Sequence, residues 1–471
     1  MSKPCRSTSV TSRLLGLGMA LSCIVPSATT LAHGREASVG LVAFDPSDRD
    51  HFLLRGTWAF LTTHDDGASF RWTCADAAGF DRFTEDPAVM IGSDARVLVG
   101  TFDGLRRSND VACEYVDAVG DVGTSYIIDL QPDTMDPRVV WAVRTPGDAP
   151  NTLLRSEDDG ATFAVAHEFE FGILLDRVRV APSDPRTVYV SGAAPRRGDT
   201  PRRAMVLASF DGAETFTTAE IPLLDGERSV HVLAVDPANP RRALFRMTRT
   251  VTDTVPERLL LTEDGGSTYG TVLEMREIVG LTFSHDGERV WAGSWDGGLA
   301  RSDDAGATWT LIDPTLRVRC LAERSGVSGG RELFVCVDEL TEPYAVARSY
   351  DDGHTLEEVW GFHDISNDLG CSGCTAVGAI CPTDWADVLY DIASLGAIDA
   401  GPSPDPLDVG PPTQCEGGTT FDAAFPDAAV VSTTPPASCA CSVGPSQPRP
   451  ISSVAWLALL AALARRRLRR S

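Results

Sequence analysis

Between residues 279 and 312 the chain alternates short apolar runs with polar turns. Residues 279–283 are apolar, Ser284-His285-Asp286-Gly287 reads as a turn, and 289–292 is a second run. Trp295-Asp296-Gly297-Gly298 turns the chain again; a third run at 299–302 enters the stretch 301–309, RSDDAGATW, and a fourth follows at 308–312. Runs this short between Gly- and Asp-rich turns predict strands joined by hairpins rather than helices. Four in succession make one antiparallel sheet.

Within 301–309, Ser302, Asp304, Gly306, Thr308 and Trp309 spell S-x-D-x-G-x-T-W. The same spelling, with wear, surrounds Asp65, Asp110, Asp158, Asp211, Asp264, Asp304 and Asp351, and its glycine register falls at 67, 112, 160, 213, 266, 306 and 353. Such a spacing matches one propeller blade per repeat. The pattern therefore predicts an all-β chain, a seven-bladed β-propeller of four-stranded antiparallel blades over 37–362. The repeated carboxylate is expected to accept turn amides, the Ser/Thr hydroxyl to close the loop, Gly to take positive φ, and the final aromatic to fill the space between sheets. A carboxylate used in this way is not free for calcium, so neither metal nor cofactor is expected. Ala112 and Ala213 replace Gly in two copies and leave their turns in question, and the last copy ends in Leu356.

This repeat resembles the Asp-box, or bacterial neuraminidase (BNR), repeat. The family includes sialidases, sortilin-type receptor domains, xyloglucan-active glycosidases and photosystem assembly factors. The resemblance implies that the boxes lie on the propeller's periphery, on the face away from the binding site. The Arg-Ile-Pro signature of sialidases is absent near the first blade.

The rest of the 471 residues lies at the two ends. Lys3, Arg6 and Arg13 precede an apolar stretch at 14–25, and Thr30-Leu31-Ala32 has small residues at cleavage spacing. Residues 1–32 thus read as a signal peptide. Residues 363–396 carry cysteines and a predicted helix at 383–395, with Thr383 as its cap and Trp385, Val388, Leu389 and Ile392 as its apolar face. Residues 397–450, rich in Pro, Gly and Ala, read as a disordered stalk. Residues 451–464 are apolar and end in an arginine cluster at 465–470. At ~1.5 Å per residue that run is too short for a ~30 Å hydrocarbon core. Together with Cys439 and Cys441, 451–471 resembles the C-terminal sorting tail of myxobacterial surface proteins. That resemblance implies removal by a sorting protease, anchoring near the two cysteines, and contact with membrane through the tail alone.

A formal charge of −25 sets nucleic acid and anionic lipid aside as partners of the main body. Export favours disulfides over zinc or redox chemistry for the remaining cysteines. Cys320 with Cys336, on adjacent strands, and Cys74 with Cys113, in neighbouring blades, are the expected pairs. Cys371, Cys374, Cys381 and Cys415 supply two more, in an arrangement left open among three.

Function is expected where the repeats differ. Trp58, Phe102 and Trp295, with Asp103 and Asp296, share one loop register and are candidates for stacking on sugars. Asp103 and Asp296 are also the candidate acid and base of a glycoside hydrolase, given the spacing that chemistry needs. Arg196, Arg197, Arg202 and Arg203 form a positive loop on an acidic body and are candidates for an anionic ligand. The leading expectation is an exported, surface-anchored binding or scaffold protein that recognises a glycan or another surface protein through its rim loops. The alternatives are a glycoside hydrolase and a structural surface protein without a defined ligand.

Overall fold

The computed structural model describes residues 35–109, 112–250, 254–366 and 369–393. Seven antiparallel sheets follow one another along the chain, each with strand order 1-2-3-4, and together they form the seven-bladed propeller. The first strands, Val39–Phe44, Ala88–Ile91, Tyr126–Pro132, Leu174–Ala181, Ser229–Asp236, Ile278–Phe283 and Val318–Ser325, contact one another in a closed ring and line the channel. The last strand of each blade, from Arg71–Cys74 to Glu357–Trp360, lies outermost. Blade 3 gains a fifth, parallel strand at Val119–Gly120. Among the described residues no helix is long and apolar enough to cross a membrane. The signal, stalk and tail segments, with Cys415, Cys439 and Cys441, lie outside the described residues.

Strand alternation fixes two faces. First-to-second turns and third-to-fourth turns emerge at one end of each blade. Second-to-third loops and the blade linkers emerge at the other. The repeated S/T-x-D-x-G-x-S/T loop is the third-to-fourth turn and therefore forms a clip face; the linkers define the opposite, upper face.

Six clips share one set of hydrogen bonds. In the blade 6 copy, the Ser302 hydroxyl donates to Asp304 Oδ1 at 2.7 Å and accepts the Gly306 amide at 2.8 Å. Asp304 also accepts the Thr308 amide at 2.8 Å and the Thr308 hydroxyl at 2.6 Å. Asp65, Asp158, Asp211, Asp264 and Asp351 make the same bonds. The blade 4 copy keeps them without glycine, because Ala213 takes φ 71°. In blade 2 the closing acceptor is Asn109, whose Oδ1 takes the amides of Cys113 and Glu114 at 2.8 and 3.3 Å; Asp110 lies outside the described residues.

The clips also stitch blades together. A Cβ on Gly160 would stand 1.9 Å from Leu98 Cδ2 of the preceding blade, at a residue whose φ is +74°. Gly160→Ala should therefore lower stability by about 2–3 kcal/mol in urea unfolding, since it adds both a clash and left-handed strain. A change under 0.5 kcal/mol would mean that Leu98 yields freely. The terminal aromatics pack backwards too: Phe216 meets His167 and Phe169 of blade 3, and Phe70 meets Trp360 of blade 7.

The Thr215 and Thr268 hydroxyls, followed by the amides of the same residues, hold Asp211 and Asp264 down at about 2. Their ordinary value in an unfolded chain is near 4. Depressed carboxylates add stability that is present above the unfolded value and lost as pH falls through the folded one. Unfolding measured from pH 5 to 2 should show stability dropping between about pH 4 and 2. The drop should be shallower in the Asp211→Asn/Asp264→Asn variant, and an identical slope would rule these groups out as its source.

The C-terminal segment departs from expectation. The helix α2 spans Ala376–Ala393 and begins seven residues earlier than the predicted 383. Its start is closed by Thr375, whose Oγ1 accepts the Gly378 amide at 3.2 Å, while Thr383 lies inside the helix, one residue after Pro382. Buried Val377, Cys381, Trp385, Val388 and Ile392 carry the helix through that proline by packing against blade 1, with Trp385 beside Trp72 at 5.2 Å. A short helix at Ala75–Ala78, α1, also contacts it.

Two disulfides clamp this helix: Cys74–Cys381 and Cys113–Cys371, with Cα separations of 5.3 and 5.6 Å. The expected Cys74–Cys113 pair is not formed. Cys74 ends an outer strand at the upper face, whereas Cys113 sits in a turn on the clip face, so the two are at opposite ends of neighbouring blades. The helix runs along both blades and meets each cysteine separately. Pairing of Cys371 and Cys381 within the C-terminal cluster is excluded by the same bonds. Cys374 is disulfide-bonded as well. Cys320–Cys336 joins adjacent strands of blade 7, as expected.

Candidate functional site

Linkers and second-to-third loops vary most in length, and they all meet on the upper face. A hollow between blades 3 and 4 opens beside these loops and runs along the outer strands to the blade 4 clip at Glu214, Thr215 and Phe216. It measures about 720 Å³ and is lined by the linker 169–173, the loop 194–203 and the outer strand Thr162–Glu168. Phe169, Phe171, Phe216, His167 and Met205 give it an apolar wall; Glu168, Glu170, Glu214 and Glu220 make its rim acidic. Phe171 is 54% exposed. A second hollow of about 590 Å³ shares Glu214 and continues toward the clip face.

The predicted arginine loop forms part of this wall. Arg197 lies over the Phe171 ring at 5.7 Å, and Arg203 pairs with Glu220. Arg196 and Arg202 are exposed and reach backbone carbonyls, Gly198 O at 3.3 Å and Arg228 O at 3.4 Å. The positive loop is thus partly neutralised by its own neighbours.

The aromatic candidates separate. Phe102 is 44% exposed and meets Tyr126 edge-on at 4.7 Å. Trp58 is 3% exposed, because the turn Phe362–Asp364 after the last blade packs Phe362 against it; it cannot stack on a ligand. Trp295 is half-buried, with Arg319 at 4.3 Å over its ring, so that face is occupied. Asp103 is exposed on the blade 2 loop. Asp296 is ion-paired with Arg276, and among the described residues no hydrogen bond or ion pair joins the two carboxylates.

Sequence reasoning missed the channel mouth. Most upper-face arginines there meet carboxylates: Arg35 with Asp86, Arg179 with Asp129, Arg246 with Glu257, Arg319 with Glu36. Arg55 and Arg177 do not. Arg55 reaches only two backbone carbonyls, Pro87 O at 2.9 Å and Gly40 O at 3.3 Å. The available signal was an Arg-x-Arg alternation, Arg177 and Arg179, inside an otherwise apolar inner strand.

Glu358, His363 and Asp364 present ligand atoms within 4.8 Å of one another, with the imidazole 3.2 Å from Glu358 and 3.6 Å from Asp364. All three are exposed.

No protein-family model and no curated protein matches the chain. Among solved structures it is similar to an ancestral GH74 enzyme, at 16% identity and a TM-score of 0.52, with 69% of this chain matched to 46% of that one. The match thus spans less than half of that enzyme. A GH74 xyloglucanase from Xanthomonas campestris follows at 14% identity and TM-score 0.28, over 68% of this chain and 72% of that chain. YCF48 from Cyanidioschyzon merolae is 15% identical at TM-score 0.44, over 64% and 92%. The first of these likenesses supports the propeller fold, and at such identity it speaks for the fold alone.

Proposed function

We propose that the chain is an exported recognition propeller, tethered at the cell surface through its tail, that binds a glycan or a protein ligand on the face opposite the clips. The observation that carries this reading is the 720 Å³ hollow between blades 3 and 4, where an exposed phenylalanine and an arginine top an apolar wall. Concave sites with an apolar lining and a few convergent polar groups are the usual form of ligand sites. The clip spelling supports placing the blades among Asp-box repeats, for which loops on the opposite face are the natural reading surface. The disulfides support an oxidising compartment, in line with the signal-like N-terminus. The arginine-ended tail at 451–471 supports processing by a sorting protease, with membrane contact through that tail alone.

The test is a glycan array and a surface-protein pull-down with the disulfide-bonded chain, run beside a hydrolysis assay on a polysaccharide panel. Saturable binding without turnover is the expected result. Turnover lost in Asp103→Ala or Asp296→Ala would replace this reading with a hydrolase. Mass spectrometry of surface protein should find chains lacking 451–471, and intact tails would refute the anchoring.

A further inference from the structure

The turn that follows the last blade gathers more negative charge than it answers. Glu358 stands on the outer strand Glu357–Trp360 of blade 7, and His363 and Asp364 stand on the turn Phe362–Asp364 just beyond it. The imidazole Nε2 lies 3.2 Å from Glu358 Oε1 and 3.6 Å from Asp364 Oδ2, and the three atoms fit within 4.8 Å of one another. Around an ion bound at about 2.0–2.2 Å, ligand atoms on neighbouring corners stand roughly 3.0–3.5 Å apart. The three atoms are thus spaced close to how one small cation would hold them. Asp364 Oδ2 is fixed by the Gly361 amide at 3.3 Å, whereas Glu358 has no partner but the imidazole among the described residues.

The other side of the ring is built as well. Glu339, from the loop between the second and third strands of blade 7, has a side chain about nine-tenths buried. Its Oε2 and Oε1 take the Phe362 amide at 2.8 and 3.1 Å, and Oε1 also faces Nδ1 of His363 at 3.6 Å. A carboxylate behind a histidine sets its tautomer, so that the far nitrogen keeps its lone pair for an ion. Gly361 makes room for the ring: a Cβ there would stand 2.5 Å from His363 Cε1 and 2.6 Å from Nδ1. Among the described residues no arginine pairs with Glu339, Glu358 or Asp364, so one imidazole, with at most one positive charge, faces three carboxylates. Leaving a buried carboxylate without a cation is costly, and a divalent ion at Nε2 supplies the missing charge.

We propose that His363, Glu358 and Asp364 bind one divalent transition-metal ion of the zinc class, with Glu339 positioning the imidazole. One imidazole with two carboxylates is a mixed nitrogen and oxygen set that suits zinc, whereas calcium asks for a larger shell of oxygens alone. Three protein ligands leave a coordination position open, and the exposed side chains place it in solvent. The ion ties the turn to the outer strand of blade 7, and that turn carries Phe362, the ring that covers Trp58. The clip carboxylates, already spent on turn amides, take no part. The site is therefore separate from the repeat and from the hollow between blades 3 and 4.

The test is calorimetric titration of the full, oxidised chain, freed of metal by a chelator, with zinc chloride and with calcium chloride. Saturable zinc binding is expected, at least tenfold tighter than calcium. His363→Ala and Glu358→Gln should each weaken it at least tenfold. Glu339→Gln keeps an acceptor for the Phe362 amide and loses the charge, and should weaken zinc about tenfold through the ring it positions. Zinc at a hundredfold excess over its dissociation constant should raise the thermal midpoint of the parent chain by about 2 °C or more and leave that of His363→Ala where it is. Absence of saturable zinc binding, calcium bound as tightly as zinc, or zinc binding untouched by His363→Ala and Glu358→Gln would overturn the site.

Discussion

Replacing Cys74 and Cys381 together by alanine is expected to destabilise the folded chain by about 4–5 kcal/mol. The bond joins residues 307 apart, a loop worth about 5–6 kcal/mol in the chain-entropy view, reduced to about 4–5 kcal/mol because Cys113–Cys371 already ties most of the same span. Cys320–Cys336 spans only 16 residues, for which the same view gives about 3 kcal/mol. The difference has a structural meaning. Among the described residues each blade is built from one continuous stretch of chain, and no strand from one end completes a sheet begun by the other. The ring is closed instead by the segment after blade 7, which bonds blade 2 through Cys371, just before the helix Ala376–Ala393, and blade 1 through Cys381 within it. Chemical denaturation of the two double-cysteine variants compares them directly. A larger loss from Cys320→Ala/Cys336→Ala would mean that the C-terminal clasp does not hold the ring.

The second large effect belongs to the same seam. Glu332 of blade 7 is 3% exposed and meets Arg49 of blade 1, as well as Arg324 at 3.0 Å. Arg324 also pairs with Asp66 of blade 1, and Arg348 reaches Asp66 at 2.9 Å. Phe334 packs between Phe44 and Phe52 at 5.1 and 5.5 Å. Glu332→Ala should cost about 3–5 kcal/mol, because it removes the buried carboxylate that answers Arg49 and leaves Arg324 with Asp66 alone. Glu288→Ala, which removes an exposed partner of Arg331, should cost no more than about 1 kcal/mol. Equal losses in urea unfolding would show that burial does not govern this network.

Blade number and blade limits were legible because the clip demands a hydroxyl, a carboxylate and a left-handed residue at fixed spacing, and that chemistry leaves a spelling. Ala213 shows the geometry outlasting the spelling, and Asn109 shows the role moving by one residue. Long-range closure left no such mark. Cys74 and Cys113 looked equivalent along the chain, yet they face opposite ends of their blades, and their partners lie more than 250 residues away. Trp58 occupied the same loop register as Phe102, but the segment after the last blade covers one and leaves the other open. The channel arginines were invisible for a different reason. An arginine in an inner strand is written like any other, and only its lack of a carboxylate partner distinguishes Arg177 from Arg179.

The central claim is that recognition belongs to the upper face and structure to the clips. It is tested most directly by repeating the glycan-array and pull-down screen with Phe171→Ala beside Tyr350→Ala. Both remove an exposed aromatic ring, the first from the hollow between blades 3 and 4, the second from the clip of blade 7. The expected result is binding lost in Phe171→Ala and retained in Tyr350→Ala. Binding retained in Phe171→Ala and lost in Tyr350→Ala would contradict the claim.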